Sequence, residues 1–248
     1  MSETGADSDS LVAHLLELRS RLLRAVLATS LVFLALLPFA DWLYSLLAEP
    51  LLRNLPTGGK LIAIEVTSTF FVPMKVAFFA ALMLAMPYVL YQIWAFVAPG
   101  LYQREKRLAR PVLVAAMVLF YAGCAFTYFL LLPVMFAYLG STAPAGVTMM
   151  TDINHYLDFV LVMFLAGGLS FEVPVAVMIA VILGWVTPAQ LSEWRGYVIV
   201  AIFIIAAILT PPDGLSQIML AVPMCLLYEA GVLMARLLRR PEAKTVAQ

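Results

Sequence analysis

Charge is what this sequence has least of. Only 12% of its 248 residues are Asp, Glu, Lys or Arg, while 64% are hydrophobic. The mean hydropathy is +0.98. A soluble domain of this length cannot hide so much apolar surface, so the chain reads as a polytopic membrane protein. Neither sign of charge is in excess, with fifteen cations against fifteen acids, which argues against a nucleic-acid partner. The two cysteines, Cys124 and Cys225, both fall inside apolar runs. No C-x-x-C spacing exists, so buried thiols are expected rather than a metal knuckle. Two histidines, His14 and His155, are too few for a histidine metal site. No Ser/His pair, phosphate loop or metal cluster supports catalysis, so neither enzyme activity nor a cofactor is expected. No internal repeat is visible, which disfavours an inverted-repeat transporter. No small-x-small cleavage site follows the first apolar run, which reads as an uncleaved span.

What the sequence has is apolar runs of membrane length. They predict one all-α transmembrane domain over 1–248, with six helices at about 25–47, 70–97, 111–133, 155–183, 197–209 and 215–238 and a tail over 239–248. Pro73 and Pro87 interrupt the second run, Pro111 and Pro133 bracket the third, and Gly167, Gly168, Glu172 and Pro174 interrupt the fourth. With both termini cytoplasmic, twelve of the fifteen Lys and Arg residues fall inside, as the positive-inside rule requires. The fifth run has thirteen apolar residues, a helix of roughly 20 Å against a hydrocarbon core of about 30 Å. In the sixth, eleven residues separate Gln217 from Glu229. A short fifth and sixth helix, joined at Thr210-Pro-Pro-Asp213 under a thinned bilayer, is therefore expected.

A few polar residues stand out against this background. In His14-Leu-Leu-Glu-Leu-Arg-Ser-Arg-Leu-Leu-Arg24, one helical face carries Leu11, Leu15, Leu18 and Leu22, and the other carries His14, Glu17, Arg21 and Arg24. One reading is an interfacial helix whose arginines anchor the span behind it. Another makes Glu17 a cytoplasmic ligand for a cationic partner. Glu105, within Arg104-Glu-Lys-Arg107, is either an exposed loop charge or the companion of Glu17, since two carboxylates can each take a guanidinium fork. Glu172 lies near the middle of the fourth span, where a charge costs at least about 2.5 kcal/mol, and is a functional candidate by that fact. The alternative is a protonated glutamate engaged only in packing. Pro174 should kink the helix there. Thr210 and Gln217 put polar groups on the last hairpin, suited to packing within the protein or to docking another helix.

Five segments in order, His14-Leu-Leu-Glu-Leu-Arg19, Tyr91-Gln-Ile-Trp-Ala-Phe-Val-Ala-Pro99, Leu101-Tyr102 with Glu105, Ser170-Phe-Glu-Val-Pro174 and Leu209-Thr-Pro-Pro-Asp213, resemble the twin-arginine translocase subunit TatC family. The resemblance covers roughly residues 11 to 236. It implies a concave, cup-like six-helix protein of the bacterial cytoplasmic (inner) membrane. Its implied function is to receive twin-arginine signal peptides of folded cargo for export driven by the proton-motive force. It implies that Glu17 and Glu105 meet the arginine pair, with Arg19 and Phe96 beside them. The peptide's apolar segment would then enter a groove leading toward Glu172 on the concave face. It assigns Thr210 and Gln217 to docking of the single-span partners TatB and TatA, and Pro50 and Asp213 to the structure of the outer loops. Self-association in a multi-copy complex is also implied. The alternative is a proton-coupled secondary transporter using Glu172 and Asp213.

Overall fold

The computed structural model describes residues 3–52, 60–97, 106–141, 150–210 and 213–238. Helices α1 (Glu3–Leu36) and α2 (Ala40–Leu52) are joined by a single tight turn, Leu37–Phe39, whose Pro38 presets the backbone. Next come α3 (Ser68–Val97), α4 (Lys106–Phe126), a wide π turn (Thr127–Leu131) and α5 (Leu132–Ser141). They are followed by α6 (Ile153–Ser170), α7 (Val173–Ile182), α8 (Pro188–Glu193), α9 (Arg195–Leu209) and α10 (Gly214–Leu238). Two three-residue strands, β1 (Lys60–Ile62) and β2 (Met150–Asp152), pair in parallel, with Ile62 opposite Asp152.

Five stretches are long and apolar enough to cross a membrane: Leu15–Leu47, Ser68–Phe96, Arg110–Tyr138, Ile153–Ile182 and Gly214–Leu237; α9 is shorter, with 15 residues. Together they make the six spans. The fifth is short, as expected. The sixth is not: α10 runs for 25 residues. Pro223 and the polar residues that suggested a short segment are carried inside a continuous helix, because a membrane helix tolerates such residues where neighbours meet their backbone needs. For the same reason Pro73 and Pro87 do not interrupt α3. Pro133 has a visible effect. It cannot donate to the carbonyl of Phe129, four residues back, and the ladder widens into the π turn just before it.

The chain forms two compact units, one of residues 1–117 and 136–161, the other of 118–135 and 162–248. In the first, α3 turns a stripe of Val76, Ala77, Ala81 and Ala85 inward, and α1 packs on α3 with Ala25 and Thr29 buried. Lipid offers helices no hydrophobic drive to associate, so close approach through small side chains supplies the attraction. Thr29 satisfies its hydroxyl on the Ala25 carbonyl of its own helix, at 2.9 Å. Phe136 stacks on Tyr156, with ring centroids 5.1 Å apart. The second unit also relies on small residues. A Cβ on Gly123 would lie 2.5 Å from the Gly167 carbonyl oxygen, and one on Gly231 would lie 2.8 Å from Cα of Pro174. Glycine is what lets α10 reach α7.

Candidate functional site

Glu17 sits on α1 just inside the N-terminal end of the first span. It is half-buried, and Arg21, one turn later, donates to its Oε1 from Nε at 3.0 Å and from a terminal nitrogen at 2.5 Å. Both bonds use one oxygen. Among the described residues Oε2 has no partner, so the carboxylate keeps acceptor capacity toward solvent. Arg19 and Arg24 are exposed, and so are Leu15, Leu18 and Leu22 on the opposite face. An exposed apolar stripe of this kind suits a helix end that meets lipid. Phe96 is half-buried in the last turn of α3. Glu105 lies outside the described residues, and Pro50 falls within α2. The structure therefore gives surroundings for Glu17, Arg19 and Phe96, but no relation of Glu105 to them.

Glu172 lies where the fourth span breaks. Helix α6 ends at Ser170, and α7 begins at Val173 with Pro174 in its first turn. The Glu172 amide bonds only three residues back, to Leu169 at 3.1 Å, in place of the four-residue helical step. Glu172 occupies the capping position of α7 without capping it. Its Oε1 is buried and has no hydrogen-bond partner among the described residues. A buried carboxyl oxygen is costly unless a donor, a proton of its own or a bound group meets it.

The last hairpin spends its polar groups internally. Thr210 ends α9, is buried, and donates to the Ala206 carbonyl at 2.8 Å. Gln217 on α10 donates across the hairpin to the Phe203 carbonyl at 3.0 Å. Asp213 accepts from the Ser216 amide at 2.9 Å and so caps α10, while its Oδ2 is buried without a partner among the described residues. Near the other end of the hairpin, Arg195 pairs with Glu229 at 2.7 Å, Arg236 bonds Ser192, and the Tyr228 hydroxyl donates to the Leu191 carbonyl at 2.7 Å.

Sequence reasoning missed a cluster where β1 and β2 lead into α3 and α6. Asp152, a charged residue just before the fourth span, would be expected in solvent; instead it is only 8% exposed. It accepts from the Ile64 amide at 3.4 Å and meets Nδ1 of His155 at 2.8 Å. Burial opposes its ionisation, but the bonds from His155 and Ile64 outweigh that and hold its carboxyl below the ordinary range. Asn154 bonds Ser68 beside it. A short Asp-x-x-His run after a polar loop was the available signal; the distant Ile64 partner was not.

Relatives and solved structures agree on what this arrangement belongs to. The family model for Sec-independent protein translocase protein (TatC) matches residues 13–223. The Sec-independent protein translocase protein TatC of Azotobacter chroococcum is 52% identical over 239 residues, spanning 95% of this chain and 94% of that protein. The Escherichia coli protein of the same name is 47% identical over 230 residues, 93% of this chain and 89% of that one. Among solved structures, the crystal structure of a twin arginine translocase receptor, TatC, superposes with a TM-score of 0.81 at 34% identity. It covers 92% of this chain and 100% of that one. With six spans and this match along nearly its whole length, the chain belongs to the TatC family of Sec-independent protein translocase proteins, multi-pass proteins of the bacterial cytoplasmic membrane.

Proposed function

We propose that this chain is the receptor subunit of its translocase: Glu17 and Glu105 take the arginine pair of a signal peptide, with Arg19 and Phe96 beside them. The observation that carries this reading is the Glu17 carboxylate. It is half-exposed at the cytoplasmic mouth of the first span and, among the described residues, engaged through one oxygen only. A guanidinium approaching from the cytoplasm finds an acceptor that is pre-positioned by its helix and, among the described residues, still unsaturated. A solved relative bears the name of twin arginine translocase receptor, which supports the same role here. In this reading the protein binds and passes cargo without catalysing a reaction, and the energy for transport is the proton-motive force.

Glu172, with its unpartnered buried oxygen, is assigned as the intramembrane polar contact of the second unit. The single-span partners TatB and TatA dock on the α9–α10 hairpin around Thr210 and Gln217. These side chains are already bonded within the hairpin, so docking relies on shape and backbone approach, or exchanges the Gln217 bond for one to the partner. Copies of the chain assemble into a multi-copy complex.

The deciding experiment is site-specific photocrosslinking from positions 17, 96 and 105 to a radiolabelled twin-arginine precursor in inverted membrane vesicles, with a twin-lysine precursor as control. Crosslinks at these positions, lost with twin lysine, are expected. Silence at all three in a well-inserted protein would discard the carboxylate pair as the docking site.

A further inference from the structure

Lys75 on α3 and Asp158 on α6 form an ion pair, with Nζ 2.7 Å from Oδ1 and 2.9 Å from Oδ2. Both belong to the first unit. Lys75 follows the start of its helix at Ser68 by seven residues and Asp158 follows Ile153 by five, placing them about 11 and 8 Å inside the outer ends of their spans. Spans of 30 residues are about 45 Å long and, centred on a hydrocarbon core of about 30 Å, overhang it by about 8 Å at each end, which puts the pair near the boundary between headgroups and hydrocarbon. The pair is not enclosed by protein: the side chains are 40% and 53% exposed. It lies on the rim of an otherwise apolar cavity of about 380 Å³ lined by Phe33, Phe71, Phe78 and Leu161. Phe33 and Phe78 hold its wall through an edge-to-face contact, with centroids 5.6 Å apart. A charge pair open to the bilayer at this depth is costly unless something polar completes it.

We infer that this cavity binds one aminophospholipid of the outer leaflet, with an acyl chain against the phenylalanines, the phosphate on Lys75 and the primary ammonium on Asp158. Unused valences carry the assignment. An ammonium has three donors, and Lys75 has an acceptor for two of them, leaving one for a phosphate oxygen. A carboxylate offers about four lone-pair sites, and Asp158 gives two of them to Lys75, leaving acceptors for an incoming N–H. The pair is neutral as a whole, so it gives no net attraction to an anionic headgroup, whose phosphate would also face Asp158. A choline headgroup has no N–H to donate. A headgroup carrying both signs and a primary ammonium completes both residues, and the cavity falls in the ordinary size range of ligand sites.

The test is native mass spectrometry of the full-length chain, delipidated in detergent and offered phosphatidylethanolamine, phosphatidylcholine and phosphatidylglycerol at equal mole fraction. One retained phosphatidylethanolamine per chain is expected, favoured about fivefold over the other two, the most one exposed ion pair commonly delivers. Asp158→Asn should bring phosphatidylethanolamine down to the phosphatidylglycerol level. Lys75→Gln should lower retention of all three. Phosphoethanolamine without acyl chains should not be retained. The wild-type preference needs no variant to fold, and its absence overturns the site. So would retention of the bare headgroup, unchanged selectivity in two folded variants, or Lys75–Asp158 crosslinks joining two copies of the chain.

Discussion

At Glu17 the residue-scale question is whether Arg21 blocks the site or only shapes it. An i,i+4 pair of this exposure contributes about 0.3–0.5 kcal/mol. A peptide guanidinium that displaces Arg21 therefore loses only about twofold in affinity. Hydrogen bonds to a charged group contribute about 1.5–3 kcal/mol, so the carboxylate itself is worth tenfold or more. Arg21→Gln should accordingly raise twin-arginine peptide affinity about twofold, while Glu17→Gln should lower it at least tenfold. Fluorescence anisotropy of a labelled signal peptide on solubilised protein would read both. If Arg21→Gln weakens binding as much as Glu17→Gln does, Arg21 is itself a peptide ligand and the competition account fails. Glu105→Lys should also weaken peptide binding while leaving the protein inserted.

At the scale of elements, capping and clasping decide where the loops hold. Asp213 caps α10 through the Ser216 amide, and loss of such a cap costs about 1 kcal/mol. Asp213→Ala should lower the thermal midpoint in detergent, and Asp213→Asn should recover most of it, because an amide oxygen also accepts from Ser216. The Asp152 clasp joining β1 to β2 is pH-sensitive in a fixed direction. A carboxyl held below its ordinary range stabilises the fold above the unfolded-state value, about 3.9, and that stabilisation is lost as the pH falls through the folded value. The protection factor of the Ile64 amide, its exchange relative to the intrinsic rate at each pH, should thus fall below about pH 4 in wild type and show no such step in Asp152→Asn.

These elements also mark what the sequence could and could not disclose. Apolar run length and the sorting of cations reveal six spans, because membrane thickness and charge placement act on local sequence. Pro174 marks a candidate break at Glu172, since it removes a backbone donor, but Pro73, Pro87 and Pro223 do the same inside unbroken helices, so the sequence offers the candidate and the fold selects it. The length of α10 is not legible, because whether Gln217 and Pro223 end a helix depends on partners supplied by other elements, here the Phe203 carbonyl. Asp152–Ile64 and Lys75–Asp158 join residues 88 and 83 positions apart. No local pattern marks such pairs; only the folded contact identifies them. Glu17 is recognisable in the sequence as a candidate, but its half-saturated state is not, because that depends on which rotamer Arg21 adopts.

For the whole molecule, the fifth span sets the unresolved balance. Helix α9 has 15 residues, about 22 Å, some 8 Å short of a typical hydrocarbon core. The other five spans have 24 to 33 residues and cross it with length to spare. Mismatch costs fractions of a kcal/mol per ångström, so α9 alone stores on the order of a few kcal/mol in a thick bilayer, which is relieved if lipid thins beside it. Comparing wild type between bilayers would mix this term with the opposite preference of the long spans. A one-turn insertion of four apolar residues in the middle of α9 isolates it, since the long spans contribute equally to both proteins. The insertion should destabilise or leave unchanged the protein in thin bilayers of 14-carbon chains, where it also disturbs the Gln217–Phe203 bond. Its relative stability should then rise as the chains lengthen to 20 carbons. Unfolding midpoints of the two proteins across a series of bilayer thicknesses would decide. A difference that does not change with thickness would mean that α9 is shielded from lipid by protein, and that its length reflects packing rather than a thinned membrane.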